Sequence, residues 1–140
     1  MKKALLILGI IFILIQFIPV DRSNPPVKAE PNWDSPETRE LFMRACGDCH
    51  SHNTKWPWYS YIAPISWLIA YDVKEGREHF NVSMWGYQKK NKADEAVEEI
   101  LEGEMPPFLY TLMHPEARLS PTEKKKLIEG LKRTFGIEED

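Results

Sequence analysis

The sequence predicts an all-α protein in which one small helical domain follows an N-terminal transmembrane or signal helix. Three observations favour this fold class. Apolar residues recur at helical spacing in several segments, no segment alternates apolar and polar residues as a strand does, and residues 4–20 carry no charge. We therefore divide the chain into an N-terminal segment (1–20), an extended linker (21–34) and a folded domain (35–140).

The N-terminal segment is typical of an export signal or a membrane anchor. Lys2 and Lys3 precede its uncharged run, in which Gln16 is the only strongly polar residue. The run lies at the lower edge of the ~20 residues that span a bilayer as a helix. No small residue lies between Gln16 and Arg22, which favours an uncleaved anchor over a cleaved signal. The two lysines predict that the rest of the chain lies on the periplasmic or extracytoplasmic side of the cytoplasmic membrane.

Local signals predict the linker and the helices. Residues 21–34 contain three prolines and little apolar periodicity, which indicates an extended chain. Ser35 and Pro36 are typical of a helix start, and this helix runs into Cys46. Further helices are predicted from about Pro64 to Phe80, over 91–102, and from a capping box at Ser120 to about Phe135, with a loop at 103–119.

The charge of the chain is acidic outside the N-terminal segment. The first 20 residues contain two of the 18 basic residues and none of the 21 acidic ones, so the rest has a formal net charge of about −5. This balance argues against nucleic acid as a partner. An acidic surface serves solubility, and it could also steer docking to a basic redox partner.

The only two cysteines lie in Cys46-Gly47-Asp48-Cys49-His50, the C-x-x-C-H sequence of covalent haem attachment. Two thiols at this spacing on one side of a helix end can form thioethers with the two vinyl groups on one edge of a porphyrin. The next residue then places an imidazole over the iron. The motif predicts one covalently bound haem c, with Cys46 and Cys49 as attachment residues and His50 as the proximal iron ligand.

Three other interpretations of the motif are a redox-active dithiol, half of a zinc site, and chance. A thioredoxin-like dithiol is expected after a strand in a mixed fold, whereas this chain is predicted to be helical. Structural zinc sites use paired ligands, and His52, His79 and His114 do not form a second pair. The helical domain behind an export segment favours haem.

Met105 is the predicted distal iron ligand. It lies in Gly103-Glu104-Met105-Pro106-Pro107, where two prolines stiffen a loop before the last helix. A methionine opposite a histidine raises the reduction potential, which suits electron transfer, although a methionine also commonly fills a core gap. Met113 and His114 are the nearest substitutes. Met84, His79 and His52 are less favoured, and we expect His52 to be a surface residue.

The surroundings of the haem are also predicted. A ligating histidine normally donates its other ring hydrogen to a carbonyl, for which Pro57 or Pro64 is a candidate. Apolar walls are expected from the aromatic run after the motif, unless that run is an ordinary core or a belt at a membrane interface. Its members are Trp56, Trp58, Tyr59, Tyr61 and Trp67.

In outline the chain resembles a class I cytochrome c, which has an N-terminal helix, C-x-x-C-H, a Met-Pro loop and a capped C-terminal helix. It is more closely similar to the bacterial haem-binding domain family, through stretches within residues 36–135, namely 46–59, 62–67, 79–85 and 103–107. The resemblance implies a small cytochrome c-like helical domain around one haem. It implies no particular physiological role, and it gives no chemical role to 81–85.

Three functions are compatible with these features. The first is an electron carrier with six-coordinate iron and with redox proteins as partners. The second is a haem enzyme or a gas or redox sensor with an open sixth position, and the third is an interaction subunit whose haem is structural. No paired distal histidine and arginine is visible at helical spacing, so we favour the carrier and predict no catalytic residue.

Overall fold

Helices make up the regular structure of residues 1–137, which are the residues that the computed structural model describes. They are α1 Lys2–Ile15, α2 Pro36–Ala45, α3 Gly47–His50, α4 Ile65–His79, α5 Ala96–Glu102, α6 Phe108–Met113 and α7 Pro121–Phe135. Short 3-10 helices occupy Trp58–Tyr61, Ala93–Glu95 and Pro115–Ala117. An isolated parallel bridge joins Ala29 to Met84, and residues 1–137 contain no strand. The all-α prediction is confirmed.

The helix ends follow the local signals of the sequence. The Ser35 hydroxyl accepts a hydrogen bond from the Thr38 N–H at 3.1 Å, and Pro36 occupies the first turn of α2. A reciprocal capping box joins Ser120 and Glu123 at the start of α7. Gly103 ends α5 with a φ of 82°, a left-handed conformation that favours glycine.

The core forms where α2 crosses α7 and where α5 packs beside them. Its buried members include Leu41, Phe42, Val97, Ile100, Leu127 and Leu131. The crossing is close because α7 has Gly130 there, and a Cβ atom at that position would overlap the Thr38 side chain. This contact sets the separation of the two helices.

The loop predicted at 103–119 is partly helical. It contains α6 and the 3-10 helix Pro115–Ala117. Helix α6 is apolar around most of its circumference and has no buried residue. Its sequence therefore shows no apolar face at helical spacing. The prediction of an unstructured loop was therefore wrong for 108–117.

The N-terminal apolar run is only partly helical. Helix α1 has 14 residues and ends at Ile15, after which the Gln16 side chain bonds to the backbone of Ala63. Among residues 1–137, no helix reaches the length and apolarity needed to cross a bilayer. The predicted transmembrane helix thus has no support in the structure, because the helix stops before the apolar run does.

Residues 21–34 are extended, but they are attached to the domain. The Asn24 side chain donates to the Thr54 carbonyl at 2.9 Å, and the Lys28 N–H donates to the Ser83 carbonyl at 2.9 Å. The Trp33 ring packs against Phe42 with a centroid separation of 5.3 Å. These contacts make the segment part of the folded unit.

Candidate functional site

The four predicted haem-binding residues line one cavity of about 290 Å³, namely Cys46, Cys49, His50 and Met105. Its apolar walls come from α2, the end of α4, α5 and the loop before α6. They are Phe42, Phe80, Ala96, Ile100 and Pro107. The fold therefore brings together residues that are up to 59 positions apart in the sequence.

His50 is held by a backbone carbonyl. Its Nδ1 lies 3.0 Å from the Phe80 oxygen, and its ring stacks on the Phe80 ring at a centroid distance of 4.4 Å. Burial lowers the pKa of His50, which favours the neutral ring. With Nδ1–H donating to Phe80, Nε2 keeps its lone pair for a metal. The predicted carbonyl partners were wrong, because those of Pro57 and Pro64 accept hydrogen bonds within their own turns.

The two cysteines are free thiols on the wall of the cavity. Cys46 follows α2, where its N–H donates to Phe42, and α3 then returns the chain so that the His50 N–H donates to the Cys46 carbonyl at 3.0 Å. Burial raises the pKa of each thiol to about 12, so both are protonated at neutral pH. Thiols that stay protonated do not suit a redox-active dithiol, whose nucleophile is a thiolate.

Helix α4 packs directly on the motif at Gly76. A Cβ atom at this position would lie 2.7 Å from the carbonyl oxygen of Cys49 and 2.9 Å from its Cβ. Only glycine permits this approach, and Gly76 itself lines the cavity. The same helix leads to Phe80, so its position also sets the position of the His50 partner.

Residues 81–85, which had no predicted chemical role, hold the chain that follows the motif. The Val82 N–H donates to the His50 carbonyl at 2.9 Å, and the His52 N–H donates to the Ser83 hydroxyl at 2.8 Å. The Asn81 side chain accepts the Ser83 N–H at 2.9 Å and so fixes the turn. The segment is thus a backbone brace for His50. Residues 81–85 read Asn-Val-Ser-Met-Trp, a run too short for its spacing to have revealed this role.

Arg77 is a second residue whose role the sequence did not indicate. Its guanidinium donates to the Ser51 carbonyl and the Thr54 hydroxyl, both at 2.9 Å, and to the Ser23 carbonyl at 3.0 Å. It therefore joins α4, the loop after the motif and the N-terminal extended segment. Its acceptors lie 23 to 54 positions before it in the sequence, so spacing alone could not identify it.

The Met105 loop is fixed by its backbone. The Glu99 carbonyl accepts the N–H groups of Glu104 at 3.0 Å and Met105 at 3.1 Å, directly after the turn at Gly103. The Met105 side chain is half-buried, packs against the core and lines the cavity. Its position is compatible with the predicted role of distal ligand, which stays a prediction.

Most of the alternative ligands lie elsewhere. Met113 is 56% exposed, and both ring nitrogens of His114 have partners, Tyr59 at 2.7 Å and Glu116 at 3.0 Å. The expectation that His52 is a surface residue was wrong, since it is 8% exposed and bonds to the Pro26 carbonyl. Met84 is not among the residues that line the cavity, whereas His79 lies at the rim of the cavity and is solvent-exposed.

Tyr110 connects the methionine loop to the motif. Its hydroxyl donates to Oδ2 of Asp48 at 2.8 Å, and Oδ1 of the same carboxylate accepts the Lys55 N–H at 2.8 Å. Burial and then the negative charge of Asp48 raise the pKa of Tyr110, which therefore keeps its proton. Because Tyr110 belongs to α6, this bond fixes α6 and the preceding loop against the C-x-x-C-H turn.

The aromatic run does not line the cavity, so the predicted source of its walls was wrong. The residues in question are Trp56, Trp58, Tyr59, Tyr61 and Trp67. They lie on the 3-10 helix Trp58–Tyr61 and around the start of α4, where Trp58 is 74% exposed. The chain turns away from the cavity after His50, so the walls come from distant segments instead.

Carboxylates surround part of the cavity, namely Asp72, Glu75, Glu95 and Glu99. Burial raises the pKa of Asp72. Lys92 offsets some of this charge, since its Nζ lies 2.9 Å from Oε1 of Glu95.

As for the zinc interpretation, no group of three or more His, Cys, Asp or Glu side chains within residues 1–137 is arranged to hold a metal ion.

Comparison with known proteins gives one family and one curated relative. Cytochrome c peroxidase Ccp of Escherichia coli (strain K12) is 27% identical over 95 residues, which cover 63% of this chain. The match spans only 20% of the length of that protein. No solved structure matches the chain. Residues 10–133 match the haem-binding domain family, and this range includes the motif, the brace and the methionine loop. The chain belongs to the haem-binding domain family.

Proposed function

We propose that this protein is a one-electron carrier that holds a single haem c, attached at Cys46 and Cys49 with His50 and Met105 as axial ligands. The observation that carries the proposal is the cavity on which all four side chains converge. The Nδ1–H tautomer of His50 supports the proposal further, because the bond to Phe80 leaves Nε2 available to iron.

The residues of the cavity fit a haem in their chemistry. Two free thiols, an imidazole and a thioether line the same cavity, and part of its wall is aromatic or aliphatic. The volume of about 290 Å³ lies just below the ~300–1,000 Å³ that ligand pockets occupy. When bound, the haem supplies a ferric/ferrous couple that gains or loses one electron.

The protein residues hold that couple in place. Cys46 and Cys49 would hold the haem through two thioethers, which the addition of each S–H across a vinyl C=C would supply without a net oxidant. The brace at 81–85 and the Phe80 carbonyl keep the His50 ring oriented. The Glu99 carbonyl and the Tyr110–Asp48 bond keep the methionine loop in position. A site held in this way changes little between oxidation states, which suits electron transfer.

We further propose that the domain works on the periplasmic or extracytoplasmic side of the cytoplasmic membrane, with the N-terminal segment as its attachment. The support is the uncharged run at 4–20 behind Lys2 and Lys3. The acidic residues around the cavity favour a basic redox protein as partner.

Spectroscopy of the purified holoprotein tests the assignment. Expressed with the haem c maturation machinery, the native protein should give a six-coordinate spectrum, and Met105→Ala should lose the methionine signature and bind carbon monoxide. Met113→Ala is the matched control, because that methionine is exposed. Cys49→Ala should lose one thioether in a pyridine haemochrome assay. An unchanged Met105→Ala spectrum would remove Met105 from the proposal.

A haem enzyme or sensor with an open sixth position is the second candidate, favoured by the similarity to cytochrome c peroxidase Ccp. A native protein that is already five-coordinate, and that reacts readily with peroxide or binds carbon monoxide, would support this candidate and refute the carrier.

A further inference from the structure

One surface of the domain exposes aromatic and aliphatic side chains that residues 1–137 leave uncovered. It comprises the 3-10 helix Trp58–Tyr61 and the start of α4, and we call it the aromatic face. Its exposed members are Trp58, Tyr61, Ile62, Ile65, Leu68 and Tyr71. Those at 65, 68 and 71 are three residues apart, so they share one side of α4.

Helix α1 is fastened to this face. The Gln16 side-chain amide donates to the Ala63 carbonyl at 3.1 Å and accepts the Ala63 N–H at 2.9 Å. The Arg22 guanidinium lies 4.3 Å from the centre of the Tyr61 ring and donates to the Ser60 carbonyl at 3.3 Å. These contacts place the end of α1 beside the aromatic face. Because α1 has no buried residue, its apolar side chains are exposed as well.

The charge pattern distinguishes this surface from the rest of an acidic domain. Residues 49–71 contain no carboxylate, and Lys55 is their only Lys, Arg, Asp or Glu. Residues 72–104 contain nine carboxylates. Carboxylates are repelled by anionic lipid headgroups, whereas tryptophan and tyrosine favour the boundary between headgroups and hydrocarbon. The aromatic face has the composition that a lipid surface selects.

We propose that the aromatic face lies against a phospholipid surface, with α1 entering the bilayer beside it. This rests on the membrane attachment proposed above and goes beyond it, because the domain then has a fixed orientation instead of swinging on a tether. Asp72, one turn beyond Leu68, already lines the cavity. The haem site therefore lies one helical turn from the aromatic face, within reach of a membrane-embedded redox partner.

Photo-crosslinking of the full-length holoprotein tests the orientation. The benzophenone amino acid p-benzoylphenylalanine replaces Tyr61, which is 59% exposed, or the control Tyr87, which is 64% exposed and lies off the aromatic face. The protein is incorporated into vesicles of phosphatidylcholine and phosphatidylglycerol, irradiated and analysed by intact mass. We expect phospholipid adducts from position 61 at a yield several-fold above that from position 87.

A charge variant provides an independent measurement. Ile65→Glu should speed release of the holoprotein from the vesicles, whereas Leu101→Glu, at an exposed position on α5, should not. Absence of lipid adducts at position 61, equal yields at both positions, or adducts to a second copy of the chain would overturn the proposal. The haem spectrum reports separately on the proposed redox site, so its loss and the loss of lipid contact are distinguishable.

Discussion

Replacement of Gly76 by alanine should weaken both the stability of the domain and the haem site. The new Cβ would lie 2.7 Å from the carbonyl oxygen of Cys49, which is backbone and cannot rotate away. Helix α4 and the motif must therefore separate by about 0.7 Å to restore an ordinary contact of 3.4 Å. Phe80 moves with α4, so the bond that orients His50 lengthens as well.

The magnitude follows from two opposing effects. Overpacking at a close contact costs about 1–3 kcal/mol. Alanine in a helix interior regains about 1 kcal/mol relative to glycine. Because the clash is with backbone, we expect the cost to be near its upper end and the free energy of unfolding to fall by about 1–2 kcal/mol.

Urea denaturation and the visible spectrum of the holoprotein measure the two effects. Gly130→Ala is the control for packing alone, because its Cβ would meet the Thr38 side chain away from the cavity. It should lose stability and keep the native spectrum. Gly9→Ala, whose Cβ meets nothing within 4 Å, should change neither. A Gly76→Ala protein as stable as the native one, with the native spectrum, would refute the close packing of α4 on Cys49.

Two further predictions concern hydrogen-bonded carboxylates. Tyr110→Phe removes the hydroxyl that donates to Asp48 at 2.8 Å, so the free energy of unfolding should fall by about 1–2 kcal/mol in urea titrations. As the pH is raised, this variant should lose the methionine-ligated spectrum at a lower pH than the native protein does. Glu123→Gln should reduce stability at neutral pH, because the Ser120 N–H and the Arg44 guanidinium hold the pKa of Glu123 at about 2. This value is below the ~4.3 of an unfolded glutamate, so the stabilisation is present above about pH 5 and disappears as the pH falls towards about 2.

Each of these predictions has a matched control. Tyr87→Phe alters an exposed tyrosine and should leave the pH of ligand loss unchanged. Glu129→Gln removes an exposed carboxylate that lies 3.9 Å from Lys125 Nζ and should show no comparable dependence on pH. An equal response of Tyr110→Phe and Tyr87→Phe would contradict the linking role of Tyr110. A stability gap for Glu123→Gln that is as large at pH 2 as at neutral pH would contradict the assigned pKa.

The sequence by itself determined the features that depend on short separations. Helix starts at Ser35 and Ser120 were predictable because a cap joins residues three positions apart. The C-x-x-C-H motif was recognisable for the same reason, since its two thiols and imidazole lie within five residues, a spacing that predicts covalent haem attachment. The family comparison confirms haem binding, and the four ligand assignments stay predictions.

Only the tertiary structure decided what surrounds these residues. The carbonyl that orients His50 comes from Phe80, the cavity walls come from α2, α4, α5 and the loop before α6, and the aromatic run faces away from the cavity. The His50–Phe80 bond joins residues 30 positions apart, and the approach of α4 to the motif joins Gly76 to Cys49, 27 positions apart. Local propensity carries no information about such distances, because they are set by the packing of the whole core.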